Sequence, residues 1–155
     1  MNYVSDNTDL IHRGLDECRA ITRRYGTSFY FATQFFPKET RDGIYAIYAF
    51  ARIPDEIVDD PGYTTRLERV EKLEAWRQTW LEAMRTGTSD DPVMAAIVHS
   101  FNKYGIDVET GEAFLKSMFM DEDKKSYANY AELEEYMYGS AGVIGLMVTR
   151  IVGFS

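Results

Sequence analysis

Apolar residues recur at helical spacing along almost the whole chain, while strand-like alternation bounded by turn residues is scarce. Glycine and proline cut this pattern into short lengths, so a bundle of several helices is the fold class that fits. Residues 10–25 read as a first helix, with Leu15, Cys18 and Ile21 on one face and Gly26 as its stop. Residues 28–36 form a compact aromatic helix halted by Pro37. A third helix starts after Pro37, where Glu39 suits the helix dipole, and runs to about Asp60, before Pro61-Gly62. Pro54 lies inside it and predicts a kink rather than a break, because the pattern continues on both sides.

Thr65-Arg66-Leu67-Glu68 has the form of a capping box and opens a helix to about Arg85, closed by Gly87. Leu67, Val70, Leu73, Trp76, Trp80, Leu81 and Met84 are its expected apolar stripe. Asp91-Pro92 opens the next helix, which ends at Tyr104-Gly105, and Asp107 or Thr110 begins another reaching about Asp121. A polar connection over residues 122–129 precedes a last helix from about Tyr130. No repeat or linker interrupts the scheme, so residues 1–155 read as a single all-α domain.

Composition narrows the function classes. At 45% hydrophobic and 14% aromatic, the chain can build a core and is not of the disordered kind. Its formal charge of −8 argues against a nucleic-acid binder, which needs a net basic face. Cys18 is the single cysteine, which excludes an intramolecular disulfide and fits a reducing compartment. The first residues lack the basic start and apolar run of a signal peptide, so a cytoplasmic location is expected. Residues 141–153, the longest apolar-leaning stretch, contain Arg150 and fall short of the ~20 residues a membrane span requires.

Chemistry concentrates in the third helix. Tyr48, Arg52, Asp55 and Asp59 are spaced four, three and four apart, which places them on one helix face. Asp55 and Asp59 can then turn two carboxylates toward one point, in a D-x-x-x-D arrangement. Magnesium prefers oxygen ligands and commonly joins a few carboxylates to substrate phosphates. Arg52 carries a planar fork suited to phosphate oxygens. The bland alternative is a solvated helix face with an Arg–Asp pair, and the motif alone does not exclude it.

The surrounding residues change that balance. Tyr25-Gly-Thr-Ser28-Phe29-Tyr30, then Phe36-Pro37, Arg41, and Ile44 through Asp59 occur in an order and spacing that resembles the squalene/phytoene synthase family. The resemblance resumes at Met118-Phe-Met120-Asp121 and Tyr127, and closes with Leu133 through Met147. It implies an all-α, isoprenoid-synthase-type bundle that joins two prenyl diphosphates head to head through a cyclopropyl intermediate. It implies that Asp55 and Asp59 bind Mg2+, or Mn2+ in its place, together with substrate diphosphate. By the same resemblance Arg52 and Tyr48 line the diphosphate site, and Ser28 and Phe29 lie near the other substrate. Tyr136, Ala141, Ile144 and Gly145 match the segment flanking a hydrocarbon channel. The carbocation left by ionisation needs a dry cavity, which Phe29, Phe31, Tyr48 and Tyr136 could line with aromatic faces.

Farnesyl or geranylgeranyl diphosphate is the expected substrate, with phytoene preferred to squalene as the product type; NADPH enters only for squalene. Greasy products suggest work near a membrane surface, as a peripheral rather than a spanning protein. Family members carry a second aspartate-rich helix downstream of the match to Gly145, whereas this sequence stops at Ser155. The expectation is therefore an N-terminal portion of the fold, truncated before that helix, with self-association or a partner chain supplying the missing half. A non-catalytic assembly or binding protein of the same fold is the alternative.

Other residues read as structure. His12, His99 and Cys18 lack metal-ligand spacing. Met118, Met120, Met137 and Met147 read as core filler. Gly139, Gly142 and Gly145, three apart, suit either close helix contact or room for a chain-like ligand.

Overall fold

A computed structural model describes residues 3–59, 65–123 and 142–153. Every regular element among them is a helix: α1 (Tyr3–Tyr25), α2 (Thr27–Thr33), α3 (Lys38–Asp59), α4 (Arg66–Thr86), α5 (Pro92–Lys103), α6 (Val108–Asp123) and α7 (Val143–Val152). Helix α3 lies at the centre: α1, α4, α5, α6 and α7 pack along it and α2 meets it through the Phe29–Tyr48 and Tyr30–Tyr45 ring stacks, while α1 crosses both α3 and α5. The expected connection and early part of the last helix, over residues 124–141, lie outside the described residues, as does Pro61-Gly62.

The helix starts follow from side-chain chemistry. Thr65 accepts from the Glu68 amide at 3.1 Å, Asp91 from the Met94 amide at 2.8 Å, and Asp107 from the Thr110 amide at 2.9 Å. Each cap satisfies an amide that the first turn leaves without an intrahelical partner. Asp107, rather than Thr110, therefore opens α6. Gly87 closes α4 with φ of 79°, a left-handed conformation in which a side chain would be strained.

Two boundaries differ from the sequence expectation. Helix α1 begins at Tyr3, about two turns before Leu10, where mostly polar residues give no periodic signal. Helix α2 ends at Thr33, and the following residues tighten into i→i+3 bonds, Gln34 to Phe31 and Phe36 to Thr33. Pro37 explains this, since its ring disfavours helical backbone at the residue before it. Helix α3 runs unbroken through Pro54, which removes the amide that would have bonded the Phe50 carbonyl.

Phe50 anchors the core. Its ring lies 5.5 Å from Trp76, 5.2 Å from Trp80, 5.0 Å from Phe101 and 5.6 Å from Phe114, so α3 is tied to α4, α5 and α6 through one side chain. Leu73 and Trp80 are buried as the α4 stripe predicts, whereas Leu67 is 65% exposed, because the first turn of α4 projects beyond the core. Met118 and Met147 are buried core residues, in keeping with their expected role, and Met137 lies outside the described residues. Gly14 permits the α1–α5 crossing: a Cβ there would stand 1.8 Å from the Pro92 carbonyl oxygen.

Cys18 is fully buried. Burial, reinforced by the nearby charges of Glu17, Asp91 and Asp42, pushes its thiol up to about 12. At about pH 8 Cys18 should therefore resist Ellman's reagent in the folded chain and react once guanidinium unfolds it. Gly14→Ala should destabilise the chain by about 1–3 kcal/mol in denaturant melts, as backbone at α5 is forced away. Alanine's helix propensity pulls the other way by only about 1 kcal/mol.

Candidate active site

The rotation of α3 decides which residues reach the site. Tyr48, Arg52 and Asp55 share the face opposite Phe50, roughly 200° around the helix from Tyr48 at about 100° per residue. Asp59 shares their register on the same helix, and its carboxylate lies outside the described side chains.

Helix α2 supplies the facing wall. Phe29 stacks on Tyr48 with ring centroids 5.6 Å apart and planes 25° from parallel. Gly26, at the α1–α2 junction, allows this approach, since a Cβ there would meet the Tyr48 ring at 2.9 Å. Burial raises the Tyr48 phenol above its ordinary value; Arg52 opposes that rise, while Asp55 and Glu56 add to it. Tyr48 is thus a neutral hydrogen-bonding group with an aromatic face.

Arg52 is the centre of the charged part. Its guanidinium carbon sits 4.3 Å from the centroid of the Tyr25 ring, a cation–π contact. Its Nη1 lies 3.4 Å from Asp55 Oδ2 and its Nη2 3.5 Å from Glu56 Oε1. Both separations are long for charge-assisted bonds, which run at about 2.7–2.9 Å. The Nε atom is buried without a hydrogen-bond partner among the described residues. Such a guanidinium is held by an aromatic face and keeps donor capacity for an incoming anion. Asp55 and Glu56 remain 42% and 44% exposed, open to a ligand from solvent.

Contacts therefore join Phe29, Tyr48, Arg52 and Asp55, and bring in Tyr25, Gly26 and Glu56, to which the sequence reading assigned no role. Tyr25-Gly26 directly ahead of the Ser-Phe pair, and Glu56 one turn beyond Arg52, are the signals that could have found them. Ser28 is exposed on the first turn of α2 and takes no part in these contacts. Ile144 packs on the core from α7. Gly145 is exposed, and nothing lies within 4 Å of a Cβ built on it, so it makes no close helix contact among the described residues. Tyr136 and Ala141 lie outside the described residues, as do Gly139 and the side chain of Asp121.

The donor set for a metal is oxygen-only: Asp55 and Asp59, one turn apart on α3, with Glu56 beside them. That chemistry fits magnesium, which takes one or two carboxylates and leaves its remaining positions to water and phosphate. Among the described residues no group of three or more His, Cys, Asp or Glu side chains forms a metal cage. Gly26→Ala should push the Tyr48 ring off Phe29, seen as loss of the near-UV aromatic signal with helix content retained. An unchanged near-UV spectrum would show that the junction has more room than its geometry indicates.

The chain has relatives in sequence and in fold. The squalene/phytoene synthase family profile matches residues 22–155. Phytoene synthase of Arthrospira platensis is 33% identical over 136 residues, covering 88% of this chain and 43% of that protein. The 15-cis-phytoene synthase of Synechococcus elongatus is 33% identical over 138 residues, covering 89% of this chain and 44% of that one. The chain thus spans under half the length of these relatives. A dehydrosqualene synthase solved with a ligand superposes with a TM-score of 0.80 at 26% identity, over 94% of this chain and 49% of its own. Squalene synthase HpnC from Alicyclobacillus acidocaldarius has the same fold, with a TM-score of 0.81 at 23% identity over 92% of this chain and 52% of its own. On the profile match across most of its length, this chain belongs to the squalene/phytoene synthase family.

Proposed function

We propose that the chain forms the first half of a site that condenses two prenyl diphosphates head to head, as in phytoene or squalene formation, through a cyclopropyl intermediate. The observation that carries this is Arg52: a guanidinium braced on Tyr25, with long contacts to Asp55 and Glu56 and a buried Nε that has no hydrogen-bond partner among the described residues. Diphosphate is the kind of anion that would engage it.

Asp55 and Asp59 would hold magnesium, or manganese in its place, against the same diphosphate. The metal's contribution, when bound, is to neutralise charge building on the departing diphosphate. Arg52 adds a fixed positive charge aimed at that group. Tyr48 and Phe29 present stacked rings beside it, a surface suited to the allylic cation left behind and to excluding water. Ser28 would lie near the second substrate, and Tyr136, Ala141, Ile144 and Gly145 would flank the hydrocarbon channel. Farnesyl or geranylgeranyl diphosphate is the proposed substrate, and NADPH is required only if the product is squalene. The second set of carboxylates would come from outside this sequence, in a longer polypeptide or a partner chain.

Calorimetry of a farnesyl or geranylgeranyl diphosphate analogue into this chain, with and without magnesium, tests the proposal. Magnesium-dependent binding is expected. Asp55→Asn should weaken it by about ten- to a hundredfold, the worth of a charged hydrogen-bonding partner, with the circular dichroism spectrum unchanged. Binding that ignores both magnesium and this substitution would remove Asp55 from the site.

A further inference from the structure

On the side of α2 away from Tyr48, large aromatics stand bare beside cations. Phe31 is 61% exposed and Phe35 is 92% exposed. Phe31 lies on α2 and Phe35 in the turn that follows it. Single exposed aromatics are ordinary on a protein surface, but a pair flanked by charge of one sign is not.

The charge is positive. Two adjoining hollows share Asp16 and Arg19; one is lined further by Arg23 and Arg24, the other by Lys38 and Arg41. Asp16 and Asp42 are the carboxylates in these linings, and Asp42 is bound to Lys38 at 2.9 Å. Five cations against two carboxylates form a local positive field on a chain whose formal charge is −8. At physiological salt charges farther away than about 8 Å are largely screened, so the local balance governs what docks here.

Arg19, Arg23 and Arg41 are held beside the aromatics by neutral groups. Arg19 donates to the Tyr30 hydroxyl from Nη2 at 3.0 Å and from Nε at 3.3 Å. The Arg23 guanidinium lies 5.9 Å from the centroid of the same ring, whose edge meets Phe31 at 5.7 Å. Arg41 donates to the Gln34 side-chain oxygen at 3.3 Å, next in sequence to Phe35. A phenol and an amide orient these guanidinium groups without neutralising them, which leaves their charge for something outside.

We propose that the face made by Phe31 and Phe35 with Arg19, Arg23, Arg24, Lys38 and Arg41 docks on an anionic lipid bilayer. The two rings enter the headgroup zone, where aromatic side chains are favoured, and the cations pair with lipid phosphates. Charge complementarity selects this occupant, because an apolar protein partner would have to bury the cations without their counter-ions. Phe29 faces the opposite way on the same helix, so the docked face and the aromatic wall of the candidate site are the two sides of α2. The inference stands whether or not that site binds diphosphate.

Cosedimentation of the chain with vesicles of phosphatidylcholine alone, and of phosphatidylcholine mixed with phosphatidylglycerol, tests it. Binding to the anionic vesicles and not to the neutral ones is expected, weakening as salt is raised. Each of Arg23→Gln and Arg24→Gln should lower the partition constant about fivefold. Phe31→Ser with Phe35→Ser should lower it at least as far, while Leu67→Ser, at an exposed position elsewhere, should leave it unchanged. These side chains are exposed, and unchanged circular dichroism and melting temperature confirm that the variants fold. Equal binding to both vesicle types, no binding to either, or full binding by the double phenylalanine variant overturns the proposal. So does a dimer in size-exclusion chromatography that the double phenylalanine variant dissolves, which would assign the face to a second copy of the chain.

Discussion

The packing of Phe50 determines where the rest of α3 points. Four aromatic rings from three helices surround it, and a side chain gripped in this way allows its helix little rotation. Because the opposite face of α3 carries Tyr48, Arg52, Asp55 and Asp59, the register of the core is also the register of the site. Slipping the helix by one residue would turn these groups by about 100° and scatter the cluster. Core packing and site geometry are therefore one constraint, exerted from two sides of a single helix.

Helix α2 applies the same economy over a single turn. Phe29 meets Tyr48, Tyr30 is buried against Tyr45, and Phe31 faces outward, so three consecutive aromatics serve a site, a core and a surface. Gly26 and Pro37 define the segment: glycine allows close approach to Tyr48, and proline stops the helix before Phe36 can join it. The adjoining hydroxyls and amide are satisfied locally, Gln34 donating to Tyr45 at 2.8 Å and Thr33 to the Tyr30 carbonyl at 2.6 Å.

Arg52 shows how an electrostatic site is kept ready. Tyr25 offers it a face rather than a charge, so the guanidinium is positioned without being neutralised. Had Asp55 taken a close, bidentate grip, the arginine would be committed and the carboxylate less available to a metal. At the observed 3.4 Å the contact is loose and contributes about 1 kcal/mol or less as a surface ion pair.

Helix starts at Thr65, Asp91 and Asp107, and the stop at Gly87, were legible in the sequence because capping is local chemistry, decided within four residues. The shared face of Tyr48, Arg52 and Asp55 was legible for the same reason, through the fixed period of a helix. The early start of α1 was not, since residues ahead of Leu10 carry no apolar rhythm; nor was the exposure of Leu67, which depends on where α4 overhangs the core. Tyr25 beneath Arg52, Phe29 on Tyr48, and Arg19 and Arg23 around Tyr30 join residues 7 to 27 positions apart on different helices. Thus the sequence by itself determined the helices, their ends and the face that bears the carboxylates, because each follows from interactions along one turn. Only the tertiary structure decided which aromatic faces brace the arginine and which stand open to the surroundings, because those depend on how separate helices cross.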